Sequence, residues 1–289
     1  MGTSKKPREL GPDDLVLSYF SLAWNHPLED RLAAATAAGV AGIGLFIGEF
    51  QRLKKSGLAH GWLDEQLAEH GQCIAEIEVV RGWALDDPAE AHVEFENLAW
   101  EMADRFESRY LQAIGSYDGT SAEAGERFGR LCYRAAEHGL VVGLEFLPFT
   151  NIVDAADAWE IVEHADRDNG GVCVDIWHHA RGANDQRLID AVPVERVMGV
   201  QMSDGPMIPE LDSYYDDCLR CRHPPGSGEM HAQSFVAGLL RRGVAVPWSL
   251  EVCNEAAWGS PGQAHVSRSA EGMRSVLDGA RSSLADHLA

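Results

Sequence analysis

Residues Ala135–Phe146 read Ala-Ala-Glu-His-Gly-Leu-Val-Val-Gly-Leu-Glu-Phe. A helix-forming run stops at a glycine, and an apolar, β-prone run starts at once. Gly139 stands where a helix C-cap calls for left-handed backbone. The same rhythm returns at Ala33–Leu45, Glu69–Glu78 and Leu239–Glu251, with Gly39, Gly71 and Gly243 at the cap. Helix passing directly into strand, repeated, predicts βα units and a parallel sheet. The strands expected are Leu15–Phe20, Gly42–Ile47, Ile74–Val80, Tyr110–Ile114, Val141–Leu147, Val172–Ile176, Val197–Met202 and Pro247–Val252. Pro88–Glu107, Ala122–His138, Ile152–Ala165 and Ala264–Leu284 read most clearly as helices. Eight alternations over about 250 residues match an α/β fold of the (β/α)₈ TIM-barrel type. It is expected as one domain over residues 13–289, after a flexible N-terminal tail at 1–12. No Gly-x-Gly-x-x-Gly follows the first strand, which argues against a dinucleotide-binding sheet.

Composition narrows the function classes. Forty-five acidic against 24 basic residues give a net charge of −21, which repels polyanions, so nucleic acid is not an expected partner. No run of 18 apolar residues predicts a membrane span, and the polar, basic Met1–Leu10 lacks the apolar stretch of a secretory signal. Cys73, Cys132, Cys173, Cys218, Cys221 and Cys253 are scattered and read as reduced thiols of a cytoplasmic protein. Cys218-x-x-Cys221 has no second pair to complete a zinc knuckle.

Four of the expected strands carry a metal-capable side chain: Glu145, Asp175, Gln201 and Glu251. Each alone has an ordinary explanation: a solvated strand end, a helix cap, a core amide. Glu251, flanked by apolar residues in Ser-Leu-Glu-Val, is the hardest to leave unpaired, because a buried lone carboxylate is costly. Asp175 follows Glu145 by 30 positions and Gln201 follows Asp175 by 26, about one βα unit each. Parallel strands would bring all four to one barrel mouth, where three carboxylates and an amide oxygen would repel without a cation. All-oxygen ligation favours one divalent ion, Mn²⁺ or Mg²⁺ over Zn²⁺.

Further candidates surround this set. His178 lies one turn beyond Asp175 and is expected to bind substrate or move a proton, while the adjacent His179 should point elsewhere. The stretch Ser203–His231 reads as a long non-helical loop after strand seven, a lid or substrate loop. From it Arg222 and His223 reach a substrate oxygen or stand as exposed loop cations. Trp24, Trp83 and Trp177 follow strands one, three and six and are candidates for an apolar substrate wall. Glu49 is one more acid, after strand two.

These motifs resemble the xylose-isomerase-like TIM-barrel superfamily. It holds sugar and sugar-phosphate isomerases, ketose 3-epimerases, inosose dehydratase, 3-dehydroshikimate dehydratase and a DNA-repair endonuclease. The resemblance is carried by Glu145, Asp175-x-x-His178, Gln201-x-x-Asp204 and Glu251. It implies that Glu145, Asp175, Gln201 and Glu251 ligate the metal, with Gln201 where many members have histidine. Glu145-x-Leu-Pro-Phe149 and Ala158–Val162 are similar to the dehydratase branch. The function expected first is a sugar isomerase or epimerase acting on a small polyhydroxylated carbonyl compound, such as a keto-sugar or cyclitol. Glu145 and Glu251 would move the proton next to the carbonyl, with His178 as a third catalytic candidate. The alternative is a dehydratase sharing that first step. The repair endonuclease needs a His-rich multi-zinc centre and a basic groove, and a non-catalytic binding barrel would not need the ligand set. Self-association into a homo-oligomer is compatible with every one of these readings.

Overall fold

Strands β1 (Leu15–Leu17), β2 (Gly42–Phe46), β3 (Ile74–Val80), β4 (Tyr110–Ala113), β5 (Val141–Glu145), β6 (Gly170–Asp175), β7 (Val197–Met202) and β8 (Trp248–Leu250) pair in parallel, each with its sequence neighbour. β8 pairs with β1, so the sheet closes into the expected barrel. The structure is a computed structural model that describes residues 6–259 and 261–286. Outside the strands lie α1 (Leu28–Ala37), α2 (Ile47–Lys55), α3 (Trp62–His70), α4 (Glu90–Phe106), α5 (Ser121–Glu137), α6 (Ala155–Ala165), α7 (Ile176–Arg181), α8 (Gln186–Asp190), α9 (Tyr214–Arg220), α10 (Ala232–Arg242) and α11 (Gly262–Asp286). None of the described helices is long and apolar enough to cross a membrane. The cap glycines behave as their positions require: Gly39, Gly71, Gly139 and Gly243 have φ of 63°, 62°, 67° and 88°.

Several elements end earlier than the sequence pattern suggests. β2 and β6 lose their last expected residue because Ile47 and Ile176 already begin α2 and α7. β1 stops at Leu17 because Tyr19–Ser21 coils into a 3₁₀ turn, capped by the Ser18 hydroxyl accepting from the Phe20 N–H. Apolarity runs on past the point where ladder pairing stops, since the mouth residues are buried without being strand. Of the tail expected at 1–12, residues 1–5 lie outside the described residues. Pro7–Glu9 form one 3₁₀ turn, and the Pro12 carbonyl accepts the Trp248 indole N–H.

The barrel interior is packed by complementary side chains. The Tyr110 ring from β4 lies across Gly143 and Gly199, where a Cβ would come within 2.4 Å of its oxygen. Larger residues on β5 or β7 would displace the phenol, so these glycines set the floor beneath the mouth.

The 203–231 stretch is not the non-helical loop expected. It contains α9, whose N-cap Ser213 accepts from the Asp216 N–H. Buried Asp204 fastens the loop from inside by accepting the N–H groups of Gly205, Gly226 and Met230. Asp217 of α9 is held by Arg181 of α7 at 2.9 Å, a buried pair. Sequence reading missed α9 because its polar, acidic Tyr-Tyr-Asp-Asp turn has no apolar stripe of its own; tertiary anchors supply its stability.

Candidate metal centre and active site

Backbone register brings the predicted residues together. Asp175 is the cross-strand partner of Gln201, Gln201 that of Ser249, and Glu145 that of Cys173. All four lie at the carboxyl ends of β5–β8, the face on which barrel enzymes carry their chemistry. Asp175 serves two purposes. Its Oδ1 caps α7 by accepting the Trp177 N–H at 2.6 Å, and its Oδ2 faces Arg222 and His178. Helix cap and site residue are one side chain, because a carboxylate has two oxygens.

Glu145, Asp175 and His178 are buried and each offers one ligand atom within 4.8 Å of the others. His178 Nε2 lies 3.2 Å from Glu145 Oε1 and 3.6 Å from Asp175 Oδ2. Its Nδ1 shares a hydrogen bond of 2.7 Å with the Tyr214 hydroxyl on α9. Arg222 Nη2 also faces Nε2, at 3.5 Å, but the two carboxylates are ionic acceptors, and with the imidazole proton on Nε2 toward them Tyr214 donates to Nδ1. Gln201 and Glu251 join through intermediaries. Gln112 on β4 donates from Nε2 to Glu145 Oε2 at 2.6 Å and to Gln201 Oε1 at 3.3 Å. Arg222 Nη1 donates to Asp175 Oδ2 at 2.8 Å and Glu251 Oε2 at 3.2 Å.

Arg222 is no exposed loop cation: it is 2 % exposed. Its Nε donates to the Cys218 carbonyl at 3.0 Å. Burial opposes its charge, but the ionised carboxylate of Asp175, foremost among its neighbours, outweighs burial and holds the guanidinium protonated. Burial likewise works to raise Asp175, yet Arg222, His178 and the Trp177 N–H keep it below the ordinary carboxylate range. Glu251 goes the other way. Burial drives its carboxyl well above the usual range; Arg222 resists, while Glu145, Asp175 and Glu78 add to the rise.

These facts test a metal directly. Asp175 and Glu251 share one guanidinium, Glu145 lies beside His178, and in the protein alone Glu251 is pushed toward its neutral form. The oxygen of the same Gln112 amide that touches Glu145 is buried without a hydrogen-bond partner. A surplus of converging oxygen donors, with charge left to neutralise, fits a divalent cation.

The other sequence candidates divide. Trp24 is exposed at the rim of a cavity of about 600 Å³ whose wall includes Glu145, His178, Arg222 and Glu251. Trp177 stands behind that wall: it is fully buried, with the Arg181 and Arg222 guanidinium carbons 4.3 and 5.5 Å from its ring. Trp83 packs on Phe128 in the core. His179 turns to Phe235, as expected. His223 exchanges backbone hydrogen bonds with Asp204 and sends its ring toward Glu210. Glu49 is bound by Arg52. A second cleft, of about 740 Å³, lies between the 224–228 loop, α10 and α11, and its lining includes none of Glu145, Asp175 and His178.

Gln112, Tyr214 and the buried Glu76 and Glu78 of β3 escaped the sequence reading. Gln112 had the same signal as Gln201, a polar side chain inside an apolar strand. Ile74-Ala-Glu-Ile-Glu-Val-Val80 alternates its acids, which puts both on the same, inner face of β3. Nothing local marks Tyr214; its role follows from where α9 docks.

The profile of the xylose isomerase-like TIM-barrel family matches residues 32–276. A 3-dehydroshikimate dehydratase of Pseudomonas aeruginosa is 33 % identical over 149 residues, 51 % of this chain and 23 % of that protein. The chain thus spans about a quarter of the length of that curated relative. Among solved structures, a fusion of a xylose isomerase-like TIM barrel with a 4-hydroxyphenylpyruvate dioxygenase superposes with a TM-score of 0.79, at 22 % identity over 96 % of this chain and 44 % of that one. IolI, solved with a bound zinc atom, gives 0.78 at 16 % identity, covering 91 % of this chain and 97 % of its own.

Proposed function

The chain belongs to the xylose isomerase-like TIM-barrel family, and from that premise we propose a divalent-metal-dependent enzyme that removes a proton beside the carbonyl of a small polyhydroxylated ketone, with loss of water as the favoured outcome. The observation that carries this reading is the buried donor cluster of Glu145, Asp175 and His178, tied through Arg222 and Gln112 to Glu251 and Gln201 at the barrel mouth. Glu145, Asp175, Gln201 and Glu251 would hold the ion, Mn²⁺ or Mg²⁺ before Zn²⁺. When bound, it supplies Lewis acidity at the substrate carbonyl and the positive charge that lets Glu251 ionise.

The protein's own groups do the rest. Arg222 orients a substrate oxygen while keeping Asp175 ionised. Glu251 takes the proton from the carbon next to the carbonyl, and the C–H electrons pass into an enolate. In the dehydration the enolate expels a β-hydroxyl as a carbon–carbon double bond forms. His178 Nε2–H donates a hydrogen bond to that leaving oxygen, and the proton held by Glu251 completes the water. Tyr214 positions His178 by fixing its tautomer.

Sequence reasoning placed isomerase or epimerase first. The dehydratase relative at 33 % identity moves dehydration ahead. Isomerisation or epimerisation stays as the second reading, favoured by Glu145 and Glu251 both lining the cavity, since returning a proton to the opposite face of the enolate uses a second group as acid. The test is incubation of the Mn²⁺-loaded protein with ketoses, inososes and 3-dehydroshikimate in deuterated water, followed by NMR. Loss of a hydroxyl supports dehydration; deuterium uptake with every hydroxyl retained supports the second reading. No exchange with any of them overturns both.

A further inference from the structure

The cavity extends past the residues that the chemistry above uses. Its wall also includes Phe20, Trp24, Phe46, Val79, Phe95 and Ile114, with Arg81 after β3 and His92 on α4. Four of these are aromatic and in contact. Ring centroids are 5.8 Å apart for Phe20–Trp24, 5.7 Å for Phe20–Phe46, 5.2 Å for Trp24–Phe46 and 6.0 Å for Phe46–Phe95. Those four rings are not core. Phe20, Phe46 and Phe95 are half-buried, and Trp24 is 66 % exposed. A contiguous apolar surface left in a concavity marks a binding site.

This wall is built to hold its shape. Buried Arg31 donates to the carbonyls of Tyr19 at 2.6 Å, Leu22 at 3.2 Å, Ala23 at 2.6 Å and His26 at 3.1 Å, which pins the turn carrying Phe20 and Trp24. The same guanidinium lies 3.9 Å from the centre of the Tyr19 ring, which backs Trp24 at 5.7 Å. On α2, Gly48 leaves room for the Phe46 ring, since a Cβ there would come within 2.3 Å of it. Rings fixed in place before a ligand arrives lose little entropy when it binds.

The four rings offer a single side-chain hydrogen-bonding group, the Trp24 indole N–H, with Arg81 and His92 lining the cavity beyond them. A polyol lying flat on the rings would give up water from more hydroxyls than the rings can pair, which costs affinity. One sugar ring needs one stacking face; four connected rings exceed that. We infer that the substrate is amphiphilic, an oxygenated carbonyl ring bearing an aromatic substituent, and that Phe20, Trp24, Phe46 and Phe95 form the subsite for that substituent. This deepens the reading of the preceding subsection and rests on it for the carbonyl portion.

Two measurements separate the inference from that reading. The first is binding of phenyl and methyl β-D-glucoside to the full chain by saturation-transfer NMR, which needs no turnover. Phenyl glucoside should bind about tenfold tighter or more, the usual scale for filling an apolar pocket. Trp24→Ala, at an exposed position where the fold is not at stake, should reduce that phenyl-to-methyl ratio severalfold, and Phe46→Leu should do the same. The second is deuterium exchange next to the carbonyl of the matching 3-keto glucosides with Mn²⁺-loaded protein. A phenyl preference in binding without exchange supports the subsite and counts against the proposed reaction. Exchange without phenyl preference overturns the subsite and leaves the reaction standing. Equal binding of the two glucosides, or a preference untouched by Trp24→Ala and Phe46→Leu together, overturns the inference.

Discussion

The β5–β8 side of the mouth is centred on a charged cluster and the β1–β4 side on a cluster of aromatic rings. On the first, Glu145, Asp175, His178, Arg222 and Glu251 are nearly water-free and bonded to one another. On the second, Phe20, Trp24, Phe46 and Phe95 meet the cavity with rings, while the acids of β3 are sealed below it. Glu78 accepts from the Ser18 hydroxyl and the Tyr19 N–H, both at 3.0 Å, and Glu76 accepts from the Ser249 hydroxyl at 2.7 Å. On the proposed reading, the closed sheet puts its charged cluster where bonds would break and its ring cluster where a substituent would be recognised. Reaction and recognition can then vary separately, since each half is carried by different strands and loops.

The largest expected effects test the charged half. Chelation should abolish turnover, and Mn²⁺ or Mg²⁺ should restore it better than Zn²⁺; activity that survives exhaustive chelation would remove the ion from the site altogether. Glu251→Gln keeps the volume and one oxygen able to coordinate but removes the proposed base. Turnover should fall by roughly 10²-fold or more while the folded, metal-loaded state persists. Near-normal turnover in that variant would transfer the base to Glu145 or His178. Arg222→Met leaves Asp175 and Glu251 without their shared partner. Breaking a buried pair costs about 3–5 kcal/mol, so urea unfolding of the metal-free variant should show a clear loss; an unchanged midpoint would mean the guanidinium only borders the site.

A smaller effect is expected at Tyr214. Tyr214→Phe removes the hydrogen bond that fixes the His178 tautomer without removing the ring. Turnover should drop about tenfold, less than the ~10²-fold or more expected for losing an acid–base group outright, with KM little changed. A variant altered only in thermal stability would reduce Tyr214 to a loop anchor.

The smallest effect concerns the acids beneath the aromatic half. Burial, with Glu76 adding to it, raises Glu78 from 4.5 to about 8. A raised carboxyl means that the folded state binds more protons than the unfolded one. Its contribution to stability is therefore greatest below about pH 4.5 and is lost as pH rises toward 8. Glu78→Gln carries no such charge and should melt a few degrees higher than the parent at pH 8, at roughly 2–4 °C per kcal/mol, with the gap closing near pH 5. Calorimetry of the metal-free proteins decides it; a gap that does not depend on pH would show that Glu78 is already ionised.

Much of this was legible along the chain, and the reasons are specific. Gly139 could be read as a cap because left-handed backbone is a local property. Glu145, Asp175, Gln201 and Glu251 could be read as one group because strand spacing converts sequence interval into adjacency. Gln112 was legible by the same reasoning and was passed over. Tyr214 and the burial of Arg222 were not legible. Both depend on α9, which forms where buried Arg181 grips Asp217, a contact spanning 36 residues.

The sequence by itself determined the βα repeat, the closed barrel and the acidic residues at the ends of β5–β8, because periodicity, caps and strand spacing act over a few residues at a time. Tertiary structure alone decided that Asp175 both caps a helix and faces the site, that Arg222 lies between two carboxylates, and that His178 takes its orientation from Tyr214. It also decided that Trp24 borders the cavity while Trp177 stands behind it. Each of these depends on which way a side chain points once distant segments have packed, and burial, which fixes that direction, exists only in the folded chain.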